Sequence, residues 1–201
     1  MAIHGVLEAV IPHPSGETVA LYDVSALLPT KGGKPQPARK PGSKIIRWYV
    51  HKSGGEGPNG LRGILAMVRY VVRQRRPPFP GAPYTLWAAR EPERDAEGRL
   101  VLYRLVADDR RSWHTGGDCN DHGAALVLQG NLSKRDLTPD QRIVAEAGLM
   151  YATGPRYPDL DAADPVSTHS RSEQFGGTGK SICPGEYGEA WLAAWLADRA
   201  A

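Results

Sequence analysis

The chain has 201 residues, of which 41% are hydrophobic and 23% charged, a composition typical of a globular protein with one buried core. No apolar run approaches the roughly 18 residues of a membrane-spanning helix, so no span is expected. The net charge of +3 is mild, and no nucleic-acid motif accompanies the basic clusters, so nucleic acid is not an expected partner.

The first 44 residues are predicted to form an N-terminal extension. Two short apolar runs between residues 5 and 24 flank a Pro-Ser-Gly turn, which predicts a hairpin on the sheet. Residues 29–43 are rich in Gly, Pro, Lys and Arg without periodicity, and they predict an exposed, mobile basic loop. The N-terminus lacks a basic region and carries Glu8 within its apolar part, so no signal peptide is expected.

Residues 45–76 predict a buried strand followed by a helix. Ile45-Ile-Arg-Trp-Tyr-Val-His51 is β-branched and aromatic, and it places a histidine at the strand end. After Asn59, apolar residues recur at the spacing of one helical face, and Pro77-Pro78 ends the pattern. The face consists of Leu61, Ile64, Leu65, Val68, Val71 and Val72.

The second half alternates predicted strands with covering helices. Residues 83–89 and 99–106 flank a polar turn and predict a hairpin, and residues 124–131 predict another strand. Thr138-Pro-Asp-Gln141 is a capping box that begins a helix whose predicted buried face is Ile143, Val144, Ala147 and Met150. The last helix begins near Glu186 and buries Trp191, Leu192, Trp195 and Leu196. This order predicts an α/β domain with a central mixed sheet flanked by about three helices.

A glycine-rich loop before the last helix holds the most reactive side chains. His169 and Cys183 are 14 residues apart, which suits a loop that returns to one point. Imidazole and thiolate both bind zinc, and a catalytic zinc has three protein ligands. The strand-end His51 is our third ligand, although His114 and His122 remain possible from composition alone. Cys119 is assigned no role, and a disulfide is not expected without an export signal.

The same loop contains a sequence that imitates a phosphate-binding loop. Gly176-Gly-Thr-Gly-Lys-Ser181 lacks the glycine that the full pattern requires at Gln174. Pro184 also interrupts any helix that would begin at Lys180. Nucleotide binding is therefore not favoured.

Seven short pieces of the sequence carry a family resemblance in their order. They are similar to the zinc-dependent N-acetylmuramoyl-L-alanine amidases that share a fold with peptidoglycan-recognition proteins and include many phage endolysins. The similarity spans about residues 45 to 199. The pieces are Val50-His51, Pro83-Tyr84, Trp113-His114-Thr115, Asn120, Leu128-Gln-Gly-Asn131, Thr138-Pro-Asp-Gln141, and His169 with Cys183-Pro-Gly185.

The resemblance implies a role for each site residue. It makes residues 45–201 an amidase catalytic domain in which His51, His169 and Cys183 bind one zinc ion. Tyr84 matches the family tyrosine that orients the attacking water and stabilises the transition state. Further implied residues are His114, which lines the substrate groove without touching the metal, and Asn120 beside it.

Two departures concern the second catalytic donor and a loop. Phage members place a lysine two residues before the ligand cysteine, where this chain has Ser181; Lys180 is three before. Some recognition-protein amidases have a hydroxyl at that place, so Lys180 and Ser181 are both retained. The spacing from His169 to Cys183 is longer than usual, which implies an inserted loop over residues 171–179 at one edge of the groove.

The implied activity is hydrolysis of the amide between N-acetylmuramic acid and L-alanine of the peptidoglycan stem peptide. The alternatives are a recognition module that binds muropeptide without cutting it, and a zinc peptidase of another specificity. Without a signal peptide, the enzyme is expected to be made in the cytoplasm and released to the wall with holin-type help, as a lytic endolysin. A monomer is expected.

Overall fold

A seven-stranded mixed sheet forms the centre of the molecule in the computed structural model, which describes residues 5–55, 57–178 and 181–200. The strand order is β1-β2-β5-β4-β6-β3-β7. Strands β4, β6, β3 and β7 run parallel, whereas β1 is antiparallel to β2 and β4 is antiparallel to β5. The strands are β1 Val6–Pro12, β2 Thr18–Asp23, β3 Arg47–Lys52, β4 Leu86–Ala88, β5 Leu100–Arg104, β6 Gly123–Leu128 and β7 Val166–Thr168.

Helices cover both faces of the sheet. Helix α1 (Gly60–Arg73) packs its valines and Ile64 on one face, against Trp87, Val101 and Val127. Two helices cover the opposite face, and a four-residue helix precedes β6. Their bounds are α2 Cys119–His122, α3 Pro139–Ala152 and α4 Glu186–Ala200.

The architecture confirms the predicted α/β domain with a mixed sheet. Both predicted hairpins are present, since β1 pairs with β2 and β4 pairs with β5. The N-cap of α3 is also confirmed, because the Thr138 hydroxyl accepts a hydrogen bond from the backbone N–H of Gln141 at 3.2 Å. Among the described residues, no helix is long and apolar enough for a bilayer span.

The predicted buried face of α3 is partly wrong. Val144 and Ala147 are buried, but Ile143 and Met150 are only half-buried. The helix instead lies on the sheet through Val144, Leu149 and several small residues: Ala145, Ala147, Gly148 and Ala152. A Cβ on Gly148 would lie 3.4 Å from the Leu102 side chain. Such close approach rotates the buried face toward side chains that a count of large apolar residues overlooks.

The segment predicted as an exposed loop, residues 29–43, is anchored at its centre. Ala38 forms a β-bridge with Arg110, and the backbone N–H of Arg39 donates to the carbonyl of Asp109 at 3.0 Å. The Arg39 side chain is buried at 9% exposure. The surrounding residues are mostly exposed, as predicted, but the prediction missed this anchor.

Candidate metal centre

Two parallel strands bring the two histidines together. In the pairing of β3 with β7, Val50 is the partner of Thr168, so His51 and His169 follow at the same sheet edge. Their ring centroids are 4.6 Å apart. Trp48 and Val50 belong to the core under α3 and α4, and alternation along the strand directs His51 to the α1 side. His51 is almost fully buried.

Cys183 reaches the same point through the long loop after His169. The chain forms a 3-10 helix over His169–Phe175, and the backbone N–H of Ser170 donates to the carbonyl of Cys183 at 2.8 Å. The backbone N–H of Lys52 donates to the Cys183 sulfur at 3.1 Å. A hydrogen bond to sulfur stabilises the thiolate form, which is the form that binds metal.

The three side chains fit a zinc ion. Their donor atoms all lie within 4.8 Å of one another, and the Cys183 Sγ is 3.7 Å from Nδ1 of His51. Tetrahedral ligands at zinc–sulfur and zinc–nitrogen distances of about 2.3 and 2.0 Å lie about 3.6 Å apart. The buried Nε2 of His51 has no hydrogen-bond partner among the described residues. Two imidazoles and one thiol also leave a tetrahedral position free for substrate or water.

Electrostatics keep the imidazoles neutral. Burial, followed by the nearby His114 and His169, lowers the pKa of His51 well below its ordinary value. Burial also lowers the pKa of His169. In the metal-free chain, burial raises the pKa of the Cys183 thiol to about 11, against the opposing hydrogen bond from Lys52. Neutral imidazoles are ready to bind metal, whereas Cys183 must lose its proton on binding.

Tyr84 and Ser181 lie beside this cluster. The ring of Tyr84 is 5.2 Å from that of His51, and burial, followed by Cys183, raises the pKa of its hydroxyl. The Ser181 hydroxyl lies 3.4 Å from Nδ1 of His169 and accepts the backbone N–H of Cys183 at 3.1 Å. Ser181 thus connects two of the three predicted ligands. Lys180 lies outside the described residues.

His114 is held near the cluster by Asn120. Its ring stands edge-on to His51 at 5.4 Å, and neither ring nitrogen makes a well-formed hydrogen bond. Burial, followed by Arg39 and His169, lowers the pKa of His114 to about 3, against a weak opposing interaction with the Gly123 backbone. The Asn120 side-chain oxygen accepts the backbone N–H groups of His114, Thr115 and Gly116 at 3.0 to 3.2 Å. Asn120 therefore fixes the loop that carries His114.

Three cationic side chains contact this loop at Asn120 and Asp121. Arg39 donates to the carbonyl of Asn120 at 3.3 Å and to that of Asp121 at 2.6 Å. The fully buried carboxylate of Asp121 is paired with Lys40 at 3.1 Å and Arg111 at 3.3 Å. These contacts were not predicted from the sequence. The sequence gives little indication of them, because charged residues in a Gly- and Pro-rich segment usually lie in solvent.

A cleft of about 370 Å3 extends from His169 and His114 along the loop. Its far wall is aromatic, with Phe79 and Trp113 stacked at 6.4 Å, Arg75 over Phe79 and Arg111 over Trp113. Thr178 closes one side, and its backbone N–H donates to the carbonyl of Thr115 at 3.1 Å. A larger cavity of about 440 Å3, near Ser25 and Gln36, shares no residue with the metal centre.

The other predicted candidates lie elsewhere. His122 is exposed at the end of α2 and does not belong to the cluster. Cys119 is a buried free thiol 3.1 Å from the Tyr49 hydroxyl, and Cys183 is also free. The glycine-rich stretch that imitates a phosphate loop follows a 3-10 helix and does not begin a helix over its described residues.

No protein-family model and no curated protein sequence matches this chain. Solved structures do match it. An N-acetylmuramoyl-L-alanine amidase, LysC from Clostridium intestinale URNW, has a TM-score of 0.58 and 14% identity over 88% of this chain and 97% of that one. The endolysin of the Thermus scotoductus MAT2119 bacteriophage Ph2119 has a TM-score of 0.55 and 15% identity over 79% of this chain and 88% of that one.

A third match comes from a binding complex. The complex of tracheal cytotoxin with the ectodomains of peptidoglycan recognition proteins LCa and LCx has a TM-score of 0.62 and 18% identity, over 87% of this chain and 95% of that chain. The chain therefore has the fold shared by these amidases, endolysins and recognition proteins. At these identities the likeness establishes the fold.

Proposed function

We propose that this protein is a zinc-dependent hydrolase that cuts the amide bond between N-acetylmuramic acid and L-alanine in peptidoglycan. The observation that carries the proposal is the convergence of His51, His169 and Cys183, with donor atoms within 4.8 Å, beside a cleft that His169 lines. The fold is one that amidases and endolysins also have.

The site's own residues suit amide hydrolysis. A bound zinc ion supplies Lewis acidity, which polarises a carbonyl and acidifies water. Burial keeps the Tyr84 hydroxyl protonated, so it can donate a hydrogen bond to the oxygen on which negative charge develops. His114 is neutral at pH 7 and lines the cleft. Ser181, or Lys180, is the second donor in this proposal.

A peptidoglycan recognition module without activity is the second candidate. It is favoured by the match to recognition proteins in a complex with tracheal cytotoxin. The thiol of Cys183 favours the enzyme, because a site that only binds substrate through polar contacts has no need of a half-buried thiol beside two neutral histidines.

Metal analysis combined with digestion of peptidoglycan tests the proposal. We expect one zinc ion per chain and release of stem peptides with a free N-terminal L-alanine, identified by mass spectrometry. Cys183→Ser and His51→Ala should each lose zinc and activity together. Cys119→Ser is the matched control, because its thiol lies outside the cluster, and it should keep both.

The possible results separate the candidates. Full zinc occupancy in Cys183→Ser would contradict the ligand assignment. Binding of muropeptide by the zinc-loaded protein without any cleavage would establish the recognition module instead. Cleavage at a different bond would identify a zinc peptidase, since the product masses differ.

A further inference from the structure

The surface of helix α1 carries an unusual concentration of arginine. Residues 57–90 contain six arginines and neither an acidic residue nor a lysine. Four of these arginines are exposed: Arg62, Arg69, Arg73 and Arg76. Arg62, Arg69 and Arg73 lie at i, i+7 and i+11, so they form one stripe along the helix, about 16 Å long. We call these four residues the arginine face.

The arginine face is not neutralised by the protein. Within the described parts of the chain, none of its four side chains forms an ion pair. Several arginines elsewhere on the surface are paired: Arg94 with Glu17, Arg142 with Asp136 and Arg156 with Glu8. Since a solvated face of mixed charge is the usual arrangement, an acid-free arginine stripe indicates an external anion.

The choice of arginine points to a phosphate-bearing partner. Guanidinium groups form paired hydrogen bonds to phosphate and carry their charge at every physiological pH. A stripe with repeated charges suits a linear polymer with phosphates at intervals. The face also continues into the candidate cleft, because Arg75, next to Arg76, lines the cleft beside Phe79.

We propose that the arginine face binds an anionic polyol-phosphate polymer of the bacterial cell wall and holds the enzyme on its substrate. The choice of a wall polymer rests on the proposed function, because the cleft next to the face is then occupied by peptidoglycan. Nucleic acid offers the same phosphate chemistry, but the chain has no nucleic-acid motif.

Co-sedimentation with purified cell walls tests the proposal. All proteins carry Cys183→Ser, so the walls remain uncut during the measurement. One set of walls carries a glycerol-phosphate polymer, and the other set has been stripped of it chemically. The test variant is Arg62→Gln, Arg69→Gln, Arg73→Gln and Arg76→Gln together. The control removes four exposed charges elsewhere, through Lys31→Gln, Lys34→Gln, Lys134→Gln and Arg199→Gln.

We expect the test variant to bind polymer-bearing walls about tenfold or more weakly. The slope of log affinity against log salt concentration should also become smaller, by an amount that corresponds to about three phosphate contacts. The control should change the affinity by less than about threefold, since charges far from the polymer act only through screened fields. Removing the polymer from the walls should lower the affinity of the parent protein by the same factor as the four substitutions lower it on polymer-bearing walls.

Three results would overturn the proposal. The control variant could lose as much affinity as the test variant, or the parent protein could bind stripped walls equally well. Tighter binding to a duplex DNA of equal phosphate content would assign the face to nucleic acid. Hydrolysis of a soluble muropeptide, measured with Cys183 intact, is a separate readout. If the protein with Cys183 intact bound the polymer but did not hydrolyse the muropeptide, the proposed function would be rejected and the polymer-binding proposal would stand.

Discussion

The Tyr84 hydroxyl is the donor with the most direct geometric support in the described site. Its ring lies 5.2 Å from His51, and burial raises its pKa, so the proton stays on the oxygen at neutral pH. Loss of one such preorganised donor costs about 2.7 to 4 kcal/mol, a factor of roughly a hundred to a thousand in turnover. Tyr84→Phe should therefore lose that factor in muropeptide hydrolysis and keep its zinc.

Tyr70→Phe provides the matched control, because Tyr70 is 55% exposed on α1 and lies outside the cleft. It should retain normal turnover. Near-normal turnover in Tyr84→Phe would remove Tyr84 from the mechanism and leave Ser181 or Lys180 as the donor.

His114 is predicted to act on substrate without binding the metal. Its ring is 5.4 Å from His51, and the three-residue cluster that fits zinc excludes it. His114→Ala should therefore retain full zinc by metal analysis and lose at least about tenfold in activity, as expected for a lost polar contact to substrate. His122→Ala, at an exposed position, should change neither. Zinc loss in His114→Ala would make His114 a ligand.

At the level of secondary-structure elements, the site depends on two strand ends and a supporting loop. Strand β3, which carries His51, and helix α1 were predictable, because long apolar patterns signal them. Strand β7 was not, because Val166–Thr168 has only three residues and one of them is apolar. Its pairing with β3 is nevertheless what places His169 beside His51. The residues of the cluster were thus predictable from spacing and resemblance, whereas the strand pairing that brings them together was not.

The support beneath the His114 loop was also hidden from the sequence. Arg39 lies in a Gly- and Pro-rich segment, where a charged residue normally indicates solvent. Its burial depends on tertiary partners, the carbonyls of Asn120 and Asp121, that are about 80 residues away along the chain. No local pattern encodes such a contact.

Arg39→Ala should weaken both stability and activity. The variant leaves two buried carbonyls without a donor and removes a cation near the buried Asp121, so the free energy of unfolding should fall by about 2 to 4 kcal/mol. The His114 loop should also lose its position, and hydrolysis should fall even where the protein is folded. Urea unfolding and assays well below the unfolding temperature measure the two effects.

Lys44→Ala is the control for Arg39→Ala. Lys44 forms an exposed ion pair with Asp159 at 2.7 Å, and such pairs contribute about 0 to 1 kcal/mol. If Arg39→Ala were as stable and active as Lys44→Ala, the N-terminal segment would have no part in the site.

At the scale of the whole molecule, the buried histidines of the candidate metal centre make stability depend on pH. Burial lowers the pKa values of His51, His114 and His169 below the ordinary 6.5. In the unfolded chain these imidazoles regain ordinary values. The unfolded state therefore binds more protons than the folded state as the pH falls below 6.5. The contribution of the neutral imidazoles is fully present above that pH and is lost progressively below it.

The metal-free protein should accordingly lose stability between pH 7 and pH 5. Each histidine that stays neutral in the folded state contributes a slope of up to about 1.4 kcal/mol per pH unit in the free energy of unfolding. Urea unfolding in the presence of a chelator measures this slope. His114→Gln removes one imidazole whose folded pKa is about 3, so its slope should be smaller by about one proton. A free energy of unfolding that is constant from pH 7 to pH 5 would mean that the histidines are charged or exposed in the folded chain. That result would also remove the neutral donor set on which zinc binding depends, because protonated imidazoles do not bind metal.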